Sequence, residues 1–127
     1  MIILFLEGQV RGGKNSMGVT HAGRHFPRAT FRRWRDGAVA QLSAQVARHD
    51  GLPICAPCHA MIAYHPGDRR RRDVPAILDA LWHVLERAGV VADDALITRV
   101  TFETRPVCKA RPRVSIAITE ITEARND

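Results

Sequence analysis

The sequence predicts an α+β protein in which two helices pack on one mixed β-sheet. Two segments repeat apolar residues at helical spacing, and four shorter segments are continuously apolar or alternate as strands do. In chain order they read strand, hairpin-like loop, helix, strand, helix, strand, strand, and that order gives a mixed sheet with two helices packed on it. A chain of 127 residues can bury one core, so we expect residues 1–127 to form a single domain.

The first strand is expected over Met1–Gln9, because residues 2–6 are all apolar and Glu7-Gly8 follows them. A continuous apolar run of this length is typical of a strand that is buried on both faces. Residues 10–27 then form a basic, glycine-broken loop, in which Val19–Phe26 could be a short hairpin.

The first helix is expected over Phe31–Ala47, with Thr30 as its N-cap and Asp50-Gly51 as its end. Its apolar residues recur at helical spacing. We interpret Phe31 and Trp34 as core anchors rather than as platforms for stacked bases.

Leu52–His65 is predicted to be the next strand, and its two prolines, Pro53 and Pro57, restrict it to an edge or a bulged position. The second helix is predicted to start after an Asp73 N-cap, to tolerate Pro75 in its first turn and to stop at Gly89. Its predicted buried stripe consists of Ile77, Leu78, Leu81, Val84, Leu85 and Ala88. The opposite face carries Asp79, His83 and Glu86.

Two strands are predicted to complete the sheet, Leu96–Thr104 and Val114–Ile121, with a basic turn between them. Alternation in the first of these places four residues on one face: Ile97, Arg99, Thr101 and Glu103.

The charge of the chain favours a polyanionic partner. Basic residues outnumber acidic ones 19 to 13, and residues 8–35 contain seven basic residues and no acid. Segregated charge of this kind is typical of nucleic-acid binding, and a merely solvated basic face is the alternative. No apolar run approaches the roughly 20 residues of a membrane span, so we expect no membrane contact.

Three cysteines in a chain without a secretory signal favour a reduced, cytoplasmic protein. Cys55, Cys58 and Cys108 are interpreted as buried structural thiols. A zinc site at Cys55, Cys58 and His59 is the weaker interpretation, because no second Cys-x-x-Cys pair completes a ligand set.

The segment from Asp68 to Asp94 combines two kinds of chemistry. Four consecutive arginines, Arg69–Arg72, lead into Asp73, and Asp93-Asp94 follow one helix later. Guanidinium groups match phosphates, and clustered carboxylates bind divalent cations. The segment therefore suggests a protein that holds a nucleic-acid backbone over a metal ion.

These residues resemble the RusA family of Holliday junction resolvases, and the resemblance covers most of the chain. It rests on Gly67-Asp68-Arg69-Arg70-Arg71-Arg72-Asp73, on Ala88-Gly89 followed by Asp93-Asp94, and on three early segments, Glu7-Gly8, Gly13-Lys14-Asn15 and Gly23-Arg24-His25-Phe26-Pro27. The family implies a small homodimeric endonuclease, bacterial or phage-encoded, that cuts four-way or branched DNA with paired nicks. It implies aspartate-held Mg²⁺, with Mn²⁺ as the alternative ion, and no organic cofactor. By position, Asp73 and Asp94 match the family's catalytic aspartates.

The chain departs from the family motif, Asp-x-Asp-Asn followed by a lysine one turn on. Here the motif reads Asp73-Val74-Pro75-Ala76, with Asp79 in place of the lysine. Because positions 75 and 79 share a helix face, Asp79 could replace the missing aspartate, and Asp93 could be a further ligand. Alternatively, Asp79 belongs to a solvated face. The lysine's role could fall to Lys14, Lys109 or an arginine, and His83 could be a general base or merely structural.

Three functions follow as hypotheses. The first is a Mg²⁺-dependent junction endonuclease, the second an inactive relative that binds branched DNA, and the third, weaker one an RNA-binding protein. The expected DNA contacts are Arg69, Arg70, Arg71, Arg72, Lys14, Arg24, Arg28, Arg32 and Lys109.

Overall fold

The computed structural model describes residues 1–11, 17–19, 25–27 and 29–122, with the backbone alone at 17–19 and 25–27. It confirms the α+β class. The elements are β1 (Ile2–Glu7), β2 (Met17–Val19), β3 (His25–Pro27), α1 (Ala29–Val46), β4 (Cys58–His65), α2 (Val74–Arg87), a 3₁₀ turn (Asp94–Leu96), β5 (Ile97–Thr104) and β6 (Arg113–Glu120).

Four strands form one mixed sheet in the order β1-β6-β4-β5. β4 and β5 are parallel and are joined through α2, whereas β6 is antiparallel to both of its neighbours. β2 and β3 pair antiparallel, with Val19 opposite His25, and residues 20–24 of the hairpin predicted over Val19–Phe26 lie outside the described residues. Both helices pack on one face of the sheet, and the core between them contains Leu4, Leu6, Leu42, Ile62, Leu81, Leu85, Ile116 and Ile118.

The expectation that the first strand is buried on both faces is wrong. Leu4 and Leu6 point into the core, but Ile3 is 47% exposed and Phe5 is 55% exposed. They lie on the face opposite the helices, here named the open face. Alternate residues of β6, β4 and β5 continue the open face in two rows. The row that starts at Ile3 contains Ala117, Met61 and Thr101, and the row that starts at Phe5 contains Ser115, Ala63 and Glu103. An apolar run therefore does not require two covered faces.

The outer edge of β1 is closed by α1. The amide of Gln45 accepts a hydrogen bond from Phe5 N (2.8 Å) and donates one to Phe5 O (2.7 Å). One turn earlier, Gln41 makes the same pair of bonds with the backbone of Glu7, at 2.8 and 3.4 Å. Two side-chain amides thus occupy backbone groups that an edge strand otherwise leaves unpaired.

The strand predicted over Leu52–His65 begins only at Cys58, because both prolines precede it. The edge position is wrong, since β4 lies between β6 and β5. The alternative of a bulge is confirmed, because the register against β5 shifts between Cys58 and His59. That shift also corrects the predicted face of β5. Arg99, Thr101 and Glu103 share the open face, but Ile97 packs against the core instead.

The helix predictions hold except at one end. α1 already includes Ala29, so Thr30 lies within its first turn and is not the N-cap. α2 begins after Asp73 as predicted, and Ile77, Leu81, Val84 and Leu85 of its stripe are buried. Leu78 and Ala88 are only partly buried.

α2 ends where Gly89 turns the chain. Gly89 has a φ of +81°, which L-residues with a side chain rarely adopt, and the Val90 N–H reaches back to Leu85 O at 2.9 Å. The chain therefore reverses beside the last turn of the helix.

Of the three cysteines, only Cys58 is buried; Cys108 is partly buried, and the prediction of a buried thiol is wrong for Cys55, which is exposed. Burial raises the pKa of the Cys58 thiol, and the charge of Glu120 raises it further. None of the described helices is long and apolar enough to cross a membrane.

Candidate functional site

The arginine run is organised by the acidic residue that precedes it. Both the carbonyl and the carboxylate of Asp68 accept hydrogen bonds from Arg72 Nη2, each at 2.6 Å. The same carboxylate accepts one from the Arg70 N–H at 3.0 Å. The pKa of Asp68 is lowered, chiefly by the hydrogen bond from the Arg72 side chain and next by the one from the Arg70 N–H. Asp68 therefore closes the segment into a compact turn.

The turn is also tied to the chain just after β1. The Gln9 side chain accepts a hydrogen bond from the Gly67 N–H at 2.7 Å and donates one to Asp68 at 3.3 Å. Next to Gln9, the Val10 N–H donates to the hydroxyl of Tyr64, which is 1% exposed. Burial raises the pKa of that phenol. The arginine run thus rests on a buried anchor.

The four arginines do not have equal access to a ligand. Arg69, Arg70 and Arg71 are exposed, whereas the Arg72 side chain is only 16% exposed and is bound to Asp68. Its Nε atom is buried without a hydrogen-bond partner. Three of the four predicted contacts are consequently displayed to solvent, and the fourth holds the turn.

Lys109 lies beside the run. The Cys108 N–H donates to Pro66 O at 2.8 Å, which fixes the 106–112 turn against the start of the arginine segment. Arg69 and Lys109 line a common cavity of about 510 Å³ together with Asp68 and Val107. The structure therefore brings together two cationic side chains that lie 40 positions apart in the sequence.

Asp73 stands at the start of α2 as its N-cap, and its carboxylate accepts a hydrogen bond from the Ala76 N–H at 3.2 Å. Its side chain is exposed, and it lines a shallow cavity with Arg71, Arg72 and Pro75. Pro75 fits within the first turn, where a missing N–H breaks no helical hydrogen bond. Asp73 therefore has a structural role whether or not it also has a chemical one.

Three carboxylates meet at the opposite end of α2. Glu86, Asp93 and Asp94 each place an oxygen within 4.8 Å of the others, and all three are exposed. Glu86 belongs to the last turn of the helix, and the reversal at Gly89 returns residues 93 and 94 to it. Two predicted ligands, Asp93 and Asp94, thus lie together with a third that the sequence analysis did not include.

The predicted ligand set as a whole is not assembled within one chain. Among the described residues, neither Asp73 nor Asp79 belongs to a group of three potential ligands. Asp73 and Glu86 are thirteen positions apart on one helix, which separates them by about 20 Å at 1.5 Å per residue. A single ion therefore cannot contact Asp73 and Asp94 of the same chain. Asp79 is exposed on α2, along the helix between Asp73 and Glu86.

The charges at the two ends of α2 oppose the helix dipole. Anions stabilise the N-terminal end of a helix and cations its C-terminal end. Here the arginine run precedes the N-terminus, and the carboxylates of Glu86, Asp93 and Asp94 cluster at the C-terminus. Asp73 and Arg87 are the exceptions. Helix stability therefore does not account for either cluster.

The remaining predicted residues fall into two groups. Lys14, Arg24 and Arg28 lie outside the residues whose side chains are described. Arg32 is exposed in the first turn of α1, next to Phe31, which packs on Trp34 and on His83 with ring centroids 6.0 and 6.3 Å apart. Phe31 is buried, as predicted for a core anchor, and Trp34 is partly buried.

No model of a known protein family matches the chain, and no curated protein matches it either.

Proposed function

We propose that this protein is a metal-dependent endonuclease that binds four-way or branched DNA as a homodimer and resolves it by paired nicks. The observation that carries the proposal is the opposed charge at the two ends of α2. A basic segment before one end of α2 and an acidic cluster at its other end match the two needs of phosphodiester cleavage, phosphate binding and cation binding. We place this activity in the cytoplasm of a bacterium or of a phage-infected cell, in DNA recombination and repair.

The basic end would bind the DNA backbone. Arg69, Arg70, Arg71 and Lys109 are exposed, and the turn that carries the arginines is held by hydrogen bonds before any ligand arrives. A preorganised turn loses less conformational entropy on binding than a free arginine-rich loop. Arg72 would contribute through its bonds to Asp68 rather than by direct contact.

The acidic cluster at the C-terminal end of α2 provides some, but not all, of the predicted ligands for a divalent cation. Carboxylate oxygens are what Mg²⁺ and Mn²⁺ prefer, and three of them lie within one ion's reach at Glu86, Asp93 and Asp94. Exposed carboxylates often cluster on proteins that bind no metal, so the cluster supports the proposal only alongside the basic end. When bound, the cation would supply the Lewis acidity that hydrolysis of a phosphodiester requires.

The second candidate function is binding of branched DNA without cleavage. It is favoured by the absence of the family's second motif aspartate, where this chain has Pro75 within the first turn of α2. It is also favoured by the cap bond of Asp73, which gives that residue a reason to be present without catalysis.

Cleavage of a labelled four-way junction, with and without Mg²⁺, separates the two functions. For the endonuclease we expect symmetrical nicks that require the cation, and a loss of at least about 100-fold in rate for Asp94→Asn. Junction affinity should be unchanged or higher in this variant, because a charge that repels phosphate has been removed.

Two further variants sharpen the test. Asp73→Asn keeps an N-cap, since asparagine caps helices as well as aspartate does, so a loss of cleavage would report chemistry rather than folding. Asp50→Asn is the matched control, because Asp50 is exposed in the turn after α1. Tight binding without nicks in any divalent metal would leave the DNA-binding function and refute the endonuclease.

A further inference from the structure

Large apolar side chains are left exposed on one strand of the open face. Among the described residues, four such side chains are exposed, and two of them, Ile3 and Phe5, are alternate residues of β1 on that face. A large apolar side chain that stays in water forgoes the free energy that its burial would contribute. Neighbouring exposed apolar residues are therefore typical of a surface that binds a ligand.

The Phe5 ring stands on a fixed backbone. The Phe5 N–H donates a hydrogen bond to the side-chain amide of Gln45 at 2.8 Å, and the Phe5 carbonyl accepts one from the same amide at 2.7 Å. On its other side, Phe5 lies opposite Ser115 of β6. An exposed group that is already held in place loses little conformational entropy on binding, so the ring is a preorganised platform for a flat ligand.

Short side chains beside the ring leave room for such a ligand. Ser115 and Ala63 continue the row that starts at Phe5, and with Ala117 they form the floor of a depression of about 230 Å³. Typical small-molecule sites enclose about 300–1,000 Å³, so this depression is smaller than they are. It suits a flat group laid on the sheet rather than an enclosed ligand.

The carboxylates of the open face are already offset by arginines of the same chain. Glu103 is ion-paired with Arg105 at 2.9 Å, and Glu7 with Arg111. Arg113 lies opposite Glu7 in the sheet, and its guanidinium donates to the carbonyl of Arg111 at 3.1 Å. The pKa of Glu7 is lowered, first by the hydrogen bond from Arg111 and also by the charge of Arg113. One carboxylate thus serves two guanidinium groups, and this end of the face keeps an excess of positive charge.

That end of the open face adjoins the arginine run, which follows β4. Glu7 and Arg113 lie side by side on β1 and β6, and Lys109, exposed in the turn before β6, lines a cavity with the first arginine of the run. Phe5 lies two residues from Glu7, about 7 Å along β1. About two nucleotides at the 3.4 Å spacing of stacked DNA span that distance. A DNA strand whose phosphates contact the basic residues can therefore place a base on the ring.

We propose that the open face binds unpaired nucleotides of a DNA strand, with one base stacked on the ring of Phe5 and the backbone phosphates at Arg113 and Lys109. A polyanion satisfies the positive end of the face, and a base covers the exposed ring. Every base has a flat aromatic surface, so this contact requires no particular sequence. It requires that the base be unpaired, because a base inside a duplex is stacked between its neighbours.

The inference rests on the DNA binding of the proposed function and deepens it by naming what the open face takes. The arginine run would bind the backbone of any arm, whereas Phe5 would recognise the single-stranded part of a branched substrate, such as a gap or a flap. The failures of the two proposals are therefore distinguishable. A protein that binds no DNA refutes both, and one that binds junctions but makes no use of Phe5 on single strands refutes the inference alone.

The first test compares affinities for a labelled oligothymidylate of about 15 nucleotides, measured by fluorescence anisotropy with the full-length chain. Phe5→Ala should weaken this binding by about tenfold, because the stacking of one base is lost. It leaves the backbone bonds to Gln45 intact, so affinity for a duplex of equal length should not change. Phe5→Tyr keeps a ring and should retain the wild-type affinity. Val100→Ala, which shortens an exposed apolar side chain on the helix-covered side of the sheet, is the matched control.

The second test reports the contact itself. Phe5→Trp places an indole on the platform, and a stacked base should quench its fluorescence beyond any change in the wild type, whose own tryptophans are Trp34 and Trp82. Val100→Trp should show no added quenching. Equal single-strand affinity of wild type and Phe5→Ala, or no quenching at position 5, would overturn the proposal. So would tighter binding of oligouridylate, which assigns the face to RNA, or a wild-type dimer that Phe5→Ala turns into monomers, which assigns it to a second copy.

Discussion

Asp68 shows how an acidic residue can support a basic site. Its carboxylate lies among four arginines, yet it is directed to the Arg70 N–H, to Arg72 and to Gln9 rather than to solvent alone. Its charge opposes the binding of phosphate, whereas its hydrogen bonds hold the turn in shape. The two effects have opposite signs, so substitution can separate them.

Asp68→Asn is expected to weaken binding to junction DNA by about three- to tenfold, because an amide cannot replace the charge-assisted bond to Arg72. Simple electrostatics predicts the reverse, since the variant gains positive charge. Asp50→Asn, which makes the same change of charge elsewhere, controls for that term. Junction affinities of the wild type and both variants, measured at one salt concentration, decide between these two expectations. Tighter binding by Asp68→Asn would show that the order of the turn is unimportant.

The lowered pKa of Asp68 also predicts how stability depends on pH. A carboxyl whose pKa is lower in the folded than in the unfolded chain stabilises the fold above its ordinary pKa, and this contribution is lost as pH falls towards the lowered value. The unfolding free energies of wild type and Asp68→Asn should thus differ most at neutral pH and converge below about pH 4. Urea titrations between pH 7 and 3 measure this, and a difference that stays constant would contradict it.

At the scale of single elements, the contact between α1 and β1 is the most specific. Gln41 and Gln45 lie four positions apart, which places both amides on one side of the helix at roughly the spacing of alternate strand residues. The helix thereby replaces part of a neighbouring strand with two side chains.

Gln45→Ala removes both bonds to Phe5 and is expected to lower the free energy of unfolding by about 1–2 kcal/mol. It should also promote association through the β1 edge at high concentration, because the backbone groups are then unpaired. Urea unfolding and light scattering measure the two effects. Ser43→Ala, at an exposed position of the same helix, is the matched control, and equal behaviour of both variants would show that the amides do not protect the edge.

Local chemistry explains which elements the sequence predicts well. The Asp73 cap, the Gly89 stop and most of the α2 stripe depend on residues within a few positions of one another, and all were predicted. The position of β4 inside the sheet and the register shift at its start depend on partners far along the chain. Prolines indicated a constraint there, but not that the strand would begin after them.

At the scale of the whole molecule, the net charge of +6 and its clustering predict that the proposed binding to DNA depends strongly on salt. Each phosphate contact lowers the slope of log affinity against log salt by about 0.9. Arg70→Gln should therefore make that slope shallower by about 0.9 per protomer, or about 2 for a dimer. Arg48→Gln removes the same charge from an exposed site beyond α1 and should leave the slope unchanged. A flat salt dependence of the wild type would contradict DNA binding altogether.

The candidate site was predictable only in its parts. The sequence indicates the arginine run, Asp73 and Asp94, and a helix of 14 residues between them already implies that its two ends lie about 20 Å apart. Glu86 could have been found from the same reasoning, because a glycine stop directly after the helix returns the chain to its last turn. Proximity of Lys109 to Arg69 could not, since it depends on the packing of two distant turns.

If the protein binds DNA as proposed, the opposed charges at the two ends of α2 affect how it approaches the duplex. A protein with a positive and a negative end experiences a torque in the field of a polyanion, so the arginine end should turn towards the duplex before contact and the acidic end away from it. Neutralising the acidic cluster would relax that tilt and let the whole length of the helix settle against the backbone. The orientation of the first encounter would then depend on the concentration of divalent cations, independently of any step of cleavage.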